Sequence, residues 1–219
     1  MITYDFVRKD PELHTYIQKA DQALGAMGYT EHSFAHVSKC AMESGDLLEA
    51  LGYDSRTVEL TRIAGYMHDI GNMINREGHA QSGALIAFHL LEKWGMEPGE
   101  IALIVAAIGN HDESSAFPVS PTAAALILAD KCDVRRSRVR NPNPAEFDIH
   151  DRVNHAVDSA RLSLDAQART VTLDLSIDTS QCPVMDYFEI FLTRMLLCRR
   201  AADQLELKFR LNINGASIL

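Results

Sequence analysis

The segment Asn141-Pro142-Asn143-Pro144 separates two parts of the chain that have different hydrophobic patterns. Two prolines within four residues cannot continue a helix, because proline lacks a backbone N–H and its ring clashes with the preceding turn. Before this segment apolar residues recur with helical spacing, and after it they alternate with polar residues over several stretches. The chain is therefore predicted to be mostly α, with a helical domain over residues 1–140, a linker over 141–148 and a small α+β appendage over 149–219.

The helical part contains start and stop signals for about six helices. Asp10-Pro11 supplies an N-cap and a proline at the first helical position, and Gly28 ends this first helix. The same kinds of signal predict the other five helices over residues 33–51, from Asp54 or Ser55 to just before Gly71, 79–94, 98–110 and from Ser120 through Asp130 toward Arg140.

The appendage contains strands as well as helices. After a short helix over about 149–160, apolar residues alternate with polar ones from Val171 to Ile177, which predicts a half-buried strand with residues 162–164 as its hairpin partner. A long amphipathic helix then spans 183–206, and a second alternation follows over 207–213. The appendage is therefore predicted as β-β-α-β after a leading helix. The stripe Phe188, Phe191 and Met195 is interpreted as core packing, with a homodimer surface as the alternative.

His68-Asp69 ends an apolar helical run, and Gly71 follows at once. A histidine beside an aspartate on such an element is rarely buried unless it is paired or bound to a metal. Further residues of metal-ligand type lie on or near other predicted helices, namely His36, His79, His111 and Asp130. The remaining histidines, apart from His32, have no partner by spacing and are interpreted as structural or exposed: His14, His89, His150 and His155.

The two imidazoles and two carboxylates of His36, His68, Asp69 and Asp130 suit a first-row divalent metal, namely Mn, Fe, Co, Ni or Zn. His79 and His111 are candidates for a second ion, with Asp69 bridging the two. Such an ion activates water for attack on an electrophile such as phosphorus. His32 lies four residues before His36 and shares its helix face if that helix starts early enough, so it is a candidate proton donor to a leaving group.

These residues resemble a known family. His36, the run His68-Asp69-Ile70-Gly71 and Asp130 resemble the HD-domain metal-dependent phosphohydrolases over about residues 30 to 140, which implies an HD-domain helical bundle. Residues 79–83 and 110–113 resemble two histidine motifs of the binuclear branch of that family, and residues 129–133 resemble its closing Asp-x-x-Asp. The resemblance implies a supporting catalytic role for Asp133. It also places His32 where related cyclic-nucleotide phosphodiesterases have their general acid.

A run of basic residues follows Asp130. If the helix continues toward Arg140, then Lys131, Arg135 and Arg138 lie near one of its faces. Arginine binds phosphate by bidentate hydrogen bonds, and this stretch is adjacent to the proposed metal site. Lys131 and Arg135 are therefore predicted to bind the substrate phosphate, and Lys131 is counted with His32, Asp69 and Asp133 among the candidate catalytic residues.

The net charge of −9 argues against binding to bulk nucleic acid or to anionic membranes. The longest apolar run, over 101–108, is too short to span a bilayer, and the N-terminus has no signal-peptide core. The four cysteines form no CxxC motif and predict reduced, mostly buried thiols. Together these features predict a cytoplasmic protein whose partner is a small phosphate ester or nucleotide.

The leading hypothesis is a phosphohydrolase that cleaves a phosphate mono- or diester, most simply of a nucleotide, with metal-activated water. The rival hypothesis is a non-catalytic regulatory or ligand-binding HD protein in which any metal is structural. Two residues favour this rival, since Asn72 stands where the binuclear branch has lysine and Asn110 where it has a histidine. A third hypothesis is an oxygenase with a di-iron site.

Overall fold

The computed structural model describes residues 1–219 and contains nine α-helices and a four-stranded sheet. The helices before the proline segment are α1 Tyr4–Val7, α2 Pro11–Ala26, α3 Phe34–Ala50, α4 Ser55–Met67, α5 His79–Lys93, α6 Pro98–Gly109 and α7 Pro121–Lys131. The elements after it are α8 Ile149–Ala156, β1 Val157–Asp165, β2 Thr170–Ile177, α9 Val184–Gln204, β3 Lys208–Ile213 and β4 Ala216–Ser217. The expected fold class, a helical bundle followed by a small α+β part, is confirmed.

The helix starts follow the local capping signals. The Asp10 side chain accepts a hydrogen bond from the backbone nitrogen of Leu13, and Ser33 and Asp54 cap α3 and α4 in the same way. Ser120 caps α7 and is followed by proline at the first helical position. These caps satisfy backbone donors that the first helical turn leaves without partners, so the starts are locally determined. The short helix α1 was not expected, although Thr3 caps it by accepting a hydrogen bond from the backbone nitrogen of Phe6 at 3.2 Å.

The helix that carries Asp130 ends at Lys131, so the expectation that it continues toward Arg140 is wrong. The chain turns at Cys132, and residues 136–138 form one turn of 3-10 helix. Arg138 is buried and donates hydrogen bonds to the backbone oxygens of Glu31 and Asp133 at 2.8 Å each. These contacts with a distant segment stabilise the turn, and no helix face carries Lys131, Arg135 and Arg138 together.

The sheet has the order β1-β2-β3-β4, in which only β2 and β3 are parallel and α9 connects them. The β-β-α-β order expected from the sequence is present, and β4 is added at the edge. The leading helix α8 ends at Ala156 rather than near 160, because residues from Val157 onward pair with β2. The alternating residues Val171, Leu173, Leu175 and Ile177 are all buried, as their period of two indicated.

The hydrophobic core crosses the expected boundary at residue 140. One buried cluster lies within the bundle, whereas a second cluster of 30 residues joins α3, α4 and α7 to the sheet and α9. Leu48 and Leu128 belong to the same cluster as Val171 and Phe191. The division into 1–140, 141–148 and 149–219 stays a prediction, but it does not divide the core. Helix α9 therefore packs against α7, the helix that carries Asp130.

The four cysteines are free and buried, as their spacing suggested. None of the helices combines the length and the apolar composition needed to cross a membrane. The cytoplasmic location and the homodimer stay predictions.

Candidate metal centre and its pocket

The side chains that the sequence marked as metal ligands meet at one end of the bundle, and all of them are buried. Each is positioned at or near a helix end, where side chains from several helices can converge. They are His36 in the first turn of α3, His68 and Asp69 directly after α4, His79 at the start of α5, His111 just after α6 and Asp130 near the end of α7.

Four of these residues form the first half of the site. The Nε2 atom of His36 lies 3.5 Å from Asp69 Oδ2 and 3.4 Å from Asp130 Oδ1. The Nε2 atom of His68 lies 3.3 Å and 3.8 Å from the same two oxygens. Two imidazole nitrogens and two carboxylate oxygens at these separations can surround one divalent ion.

The other oxygen of Asp69 belongs to the second half of the site. Asp69 Oδ1 lies 3.6 Å from His79 Nε2 and 3.9 Å from His111 Nε2, and the two histidine nitrogens are 3.2 Å apart. Asp69 thus presents one carboxylate oxygen to each histidine pair. This is the geometry expected of a carboxylate that bridges two neighbouring ions.

The outer hydrogen bonds of the four histidines orient each Nε2 toward the centre of the site. In every case the Nδ1 atom has a hydrogen-bond acceptor of its own, which leaves the Nε2 lone pair available for a metal. The acceptors are Asp133 Oδ2 for His36 and the backbone oxygens of Gly65, Arg76 and Ile108 for His68, His79 and His111, at 2.6–2.9 Å. The outer hydrogen bonds therefore fit a metal-binding role.

Two buried atoms at the centre, His68 Nε2 and Asp69 Oδ2, have no hydrogen-bond partner. Buried polar atoms are nearly always paired, so two acceptor atoms without partners in the interior indicate a ligand such as a metal ion. Burial would raise the pKa of the carboxyls, but His68 beside Asp69 and Lys131 beside Asp130 hold both pKa values well below the usual range. Burial also lowers the pKa of His111 to about 3 and lowers that of His79, so both are neutral. Burial would lower the pKa of His68 as well, but Asp69 raises it, so metal binding at His68 would displace a proton.

Cys40 also lies beside the first half of the site, although the sequence did not mark it. Its sulfur is 3.7 Å from both ring nitrogens of His36, and its donor atom lies within 4.8 Å of those of His36, His68 and Asp130. Burial raises the pKa of the Cys40 thiol well above its usual value, which favours the protonated form. Cys40 packs against the His36 ring and is a further donor within reach of the first half of the site.

Asn72 and Arg76 lie beside the second half of the site. Asn72 Nδ2 donates to the backbone oxygen and to Oδ1 of Asp69, both at 2.9 Å. Arg76 Nη1 lies 3.3 Å from Asn72 Oδ1 and 3.4 Å from His79 Nε2. The asparagine that departs from the family pattern thus contacts the carboxylate oxygen that faces His79 and His111.

Asp133 is behind His36 and does not line the pocket. Its carboxylate accepts from His36 Nδ1 at 2.8 Å and from Arg135 Nε at 2.9 Å, and its side chain is 1% exposed. Asp133 is therefore placed to orient His36 rather than to touch a substrate. Arg135 also pairs with Glu31 at 3.2 Å and is not among the pocket residues, so the structure does not bring it to the metal centre.

His32 and Lys131 do line the pocket. His32 precedes α3, so the helix does not start early enough to put His32 on the face of His36, but its ring centroid is 5.4 Å from that of His36. Its Nδ1 atom is hydrogen-bonded to the backbone oxygen of Thr30 at 2.7 Å, and burial, followed by Arg138, holds its pKa well below the usual value. Lys131 Nζ lies 2.7 Å from Asp130 Oδ2 and is nearly buried.

A cavity of about 430 Å³ opens over the centre, and the appendage builds one of its walls. The sequence predicted a site role for none of these wall residues, because their position depends on how α8 and α9 pack against the bundle. They are Asp148, His150, Asp151 and Asn154 at α8 and Phe191 and Arg194 on α9. Arg76 and Glu113 also line the cavity and were not expected to. His150, interpreted as structural or exposed, is one of the wall residues.

A helical bundle with buried histidines and aspartates around one bridging carboxylate defines a metal-binding helical domain. The family model described as the HD domain matches residues 31–135, which are just under half of the chain. The resemblance carried by His36, His68, Asp69 and Asp130 is thereby confirmed, and the family's association with divalent metals agrees with the donor set. Arg194 and the other wall residues of the appendage lie outside the matched range.

Two proteins of known sequence are similar to part of this chain. The uncharacterized protein MJ1020 of Methanocaldococcus jannaschii is 25% identical over 170 residues, which cover 67% of this chain and 65% of that protein. Ribonuclease Y of Cutibacterium acnes is 26% identical over 145 residues, which cover 66% of this chain and 25% of that protein. The chain thus spans just under two thirds of the first protein and a quarter of the second.

Proposed function

We propose that this protein is a metal-dependent phosphohydrolase that cleaves a phosphate mono- or diester of a nucleotide. The observation that carries the proposal is the placement of Asp69, whose two oxygens lie within 4 Å of four histidine Nε2 atoms from two different pairs. Carboxylates that bridge two closely spaced ions are a recurring feature of phosphoryl-transfer sites. The HD-domain match supports the same class of reaction.

His36, His68, Asp69 and Asp130 would hold one ion, and His79, His111 and Asp69 a second. The residue types suit Mn, Fe, Co, Ni or Zn. When bound, such ions supply Lewis acidity toward phosphoryl oxygens and lower the pKa of a coordinated water. The buried atoms without partners, His68 Nε2 and Asp69 Oδ2, support occupancy of the first half in particular.

The remaining roles fall to residues around the ions. Lys131 lines the pocket beside Asp130 and would orient the substrate phosphate. His32 would move a proton at its Nε2 atom, since its Nδ1 atom is hydrogen-bonded to Thr30. Asp133 would act through His36, whose ring it orients. Arg135 is directed at Asp133 and Glu31, so we do not retain it as a phosphate ligand.

The pocket favours a polar substrate. Its wall at α8 consists of acidic, histidine and amide side chains, and its volume of about 430 Å³ lies within the range of small-molecule sites. Hydroxyl groups of a sugar would find hydrogen-bond acceptors at Asp148 and Asp151. A nucleotide therefore fits better than a lipid phosphate.

Activity measurements on metal-loaded full-length protein test the proposal. The substrates would be nucleoside monophosphates, cyclic nucleotides, guanosine polyphosphates and, because of the similarity to Ribonuclease Y, a short RNA, each with Mn, Co or Ni. His68→Ala is expected to abolish hydrolysis while circular dichroism shows a retained fold. His89→Ala is the matched control, because His89 is exposed on α5 and should leave activity unchanged. Absence of hydrolysis of every substrate by protein that binds metal would refute the proposal.

A non-catalytic ligand-binding protein is the second candidate. It is favoured by Asn72, which donates to Asp69 Oδ1, and by Arg76, whose guanidinium lies 3.4 Å from His79 Nε2. A positive charge at that point competes with a second ion by Coulomb repulsion. Under this candidate, metal-loaded protein binds nucleotides in calorimetry but does not turn them over, and His68→Ala affects stability alone.

A further inference from the structure

Arg194 brings a second cation from the appendage to the wall beside Lys131. Its Nε atom donates to Glu113 Oε1 at 2.7 Å, and the same oxygen is 3.6 Å from Lys131 Nζ. Lys131 in turn lies 2.7 Å from Asp130 Oδ2. Glu113 Oε1 thus lies between the Arg194 guanidinium and the Lys131 ammonium group. Lys131 also contacts Asp130, which is one of the proposed metal ligands.

The Arg194 guanidinium is held in place but keeps free donors. Its central carbon lies 4.3 Å from the centroid of the Phe191 ring, and Phe191 is 2% exposed, so the stack fixes the plane of the fork. Only Nε has a hydrogen-bond partner in the protein, and the Arg194 side chain lines the pocket with 20% of its surface exposed. Both terminal nitrogens are therefore available to a ligand in the cavity.

We propose that Arg194 and Lys131 form an anion subsite that binds the nonbridging oxygens of a phosphate group next to the metal centre. The terminal nitrogens of Arg194 would form the bidentate contact that guanidinium makes with phosphate, and Lys131 would supply a point charge. Glu113 is the internal counter-ion that holds Arg194 toward the pocket when no anion is bound. This inference rests on the proposed function, and it makes the appendage part of the substrate site.

A purely structural reading of Arg194 makes a different prediction. If the ion pair with Glu113 only fastened α9 to the segment after α6, loss of either partner would have the same effect on the protein. In the proposed subsite the two residues have opposite effects on phosphate, because Glu113 competes with phosphate for Arg194. The pair Arg194→Gln and Glu113→Gln therefore separates the two readings.

Calorimetric titration of manganese-loaded, full-length protein with inorganic phosphate provides the test. Arg194→Gln is expected to weaken phosphate binding by about tenfold or more, since charge-assisted bidentate contacts are among the strongest hydrogen bonds. Arg194→Lys keeps the charge but loses the fork and should fall between the two. Glu113→Gln should bind phosphate as tightly as wild type or more tightly. The matched control is Arg200→Gln, because Arg200 is exposed on the same helix and has no ion pair there.

Circular dichroism would accompany each variant. If Arg194→Gln alone does not fold, the double variant Arg194→Gln/Glu113→Gln removes both charges and is compared with Glu113→Gln. Failure of wild type to bind phosphate, or equal affinity in wild type and the Arg194 variants, would overturn the subsite. Weakening of equal size in Arg194→Gln and Glu113→Gln would assign the pair a structural role and overturn it as well.

The same measurements separate this inference from the proposed function. Arg194-dependent phosphate binding without hydrolysis of any phosphate ester supports the subsite and rejects the phosphohydrolase. Hydrolysis with an unchanged KM and unchanged phosphate affinity in Arg194→Gln supports the enzyme and rejects the subsite. A raised KM together with the loss of phosphate affinity is the result expected if both are correct.

Discussion

His36 Nδ1 donates a hydrogen bond of 2.8 Å to Asp133 Oδ2, and this contact joins α3 to the turn that follows α7. Asp133 also lies 3.7 Å from Arg138 Nη1 and 3.5 Å from Lys39 Nζ. Burial would raise the pKa of Asp133, but His36 and then Arg138 lower it far below the usual range, so the carboxylate is ionised. An ionised acceptor behind an imidazole fixes the ring orientation and increases the basicity of Nε2.

Asp133→Asn is expected to weaken metal binding by about 10- to 100-fold, because it removes the charge that orients His36. Titration calorimetry with Mn or Zn on the full chain measures this change. Asp165→Asn is a suitable control, since Asp165 is exposed at the end of β1 and distant in sequence from every ligand. Removal of the buried charge also leaves Arg138 partly unpaired, so thermal unfolding should be measured in parallel. Unchanged metal affinity in a folded variant would contradict the role given to Asp133.

Local sequence signals predict part of the fold and part of the metal centre. The starts of α2, α3, α4 and α7 follow caps that lie within three residues of the helix, so local signals suffice for them. The metal donors could also be found, because histidine and aspartate at the ends of apolar helices are costly unless they are paired.

Long-range contacts account for what the sequence did not indicate. The helix carrying Asp130 ends early because the residues after it make long-range hydrogen bonds. Asp133 bonds to His36, which lies 97 residues away in the sequence, and Arg138 bonds to the backbone oxygen of Glu31. Arg194 enters the pocket because the second hydrophobic cluster fastens α9 to α7. These contacts have no local signature, so helix spacing placed Arg135 on a helix that ends at Lys131, and no role was predicted for Arg194.

Removal of the metal should lower the free energy of unfolding. Saturation with metal at 100 times the dissociation constant adds about 2.7 kcal/mol to the free energy of unfolding, and a chelator should reverse this gain.

His79→Ala is expected to reduce the metal content from two ions per chain to one, since His36, His68 and Asp130 stay in place. Elemental analysis after dialysis measures the ratio, with His89→Ala as the control. An equal metal content in His79→Ala and wild type would rule out the binding of a second ion by His79, His111 and Asp69.

Gly71 permits the close approach of the His68-Asp69 segment to α5. A methyl group at this position would lie 2.5 Å from the backbone nitrogen of Gly83 and closer still to the carbonyl oxygen of His79. Backbone atoms cannot yield as a flexible side chain does, so Gly71→Ala should cost about 1–3 kcal/mol and displace His79. The expected results are a lower midpoint in urea unfolding and a loss of metal affinity.

Gly109→Ala is the matched control for Gly71→Ala. A methyl group on Gly109 would lie 3.7 Å from the Ala84 side chain, which is ordinary van der Waals contact. This variant should unfold at nearly the same urea concentration as wild type and retain metal. If Gly71→Ala behaves like Gly109→Ala in both measurements, the close approach at Gly71 is not needed for the centre.

The ion pair between Arg56 and Glu100 predicts a pH-dependent contribution to stability that is independent of metal. Arg56 Nε donates to Glu100 Oε1 at 2.6 Å, and this bond is the main cause that lowers the pKa of Glu100. A carboxyl with a lowered pKa in the folded state stabilises the fold above its unfolded pKa, and this stabilisation is lost as the pH falls through the folded-state pKa.

Glu100→Gln should therefore lower the free energy of unfolding at pH 7 by no more than about 1 kcal/mol, as expected for a partly exposed pair. Urea unfolding at neutral pH and at a pH below the folded-state pKa of Glu100 should show the difference disappearing at acid pH. Glu92→Gln, at an exposed position without a partner, should show no difference at either pH, and a Glu100→Gln deficit that persists in acid would point to lost packing rather than lost charge.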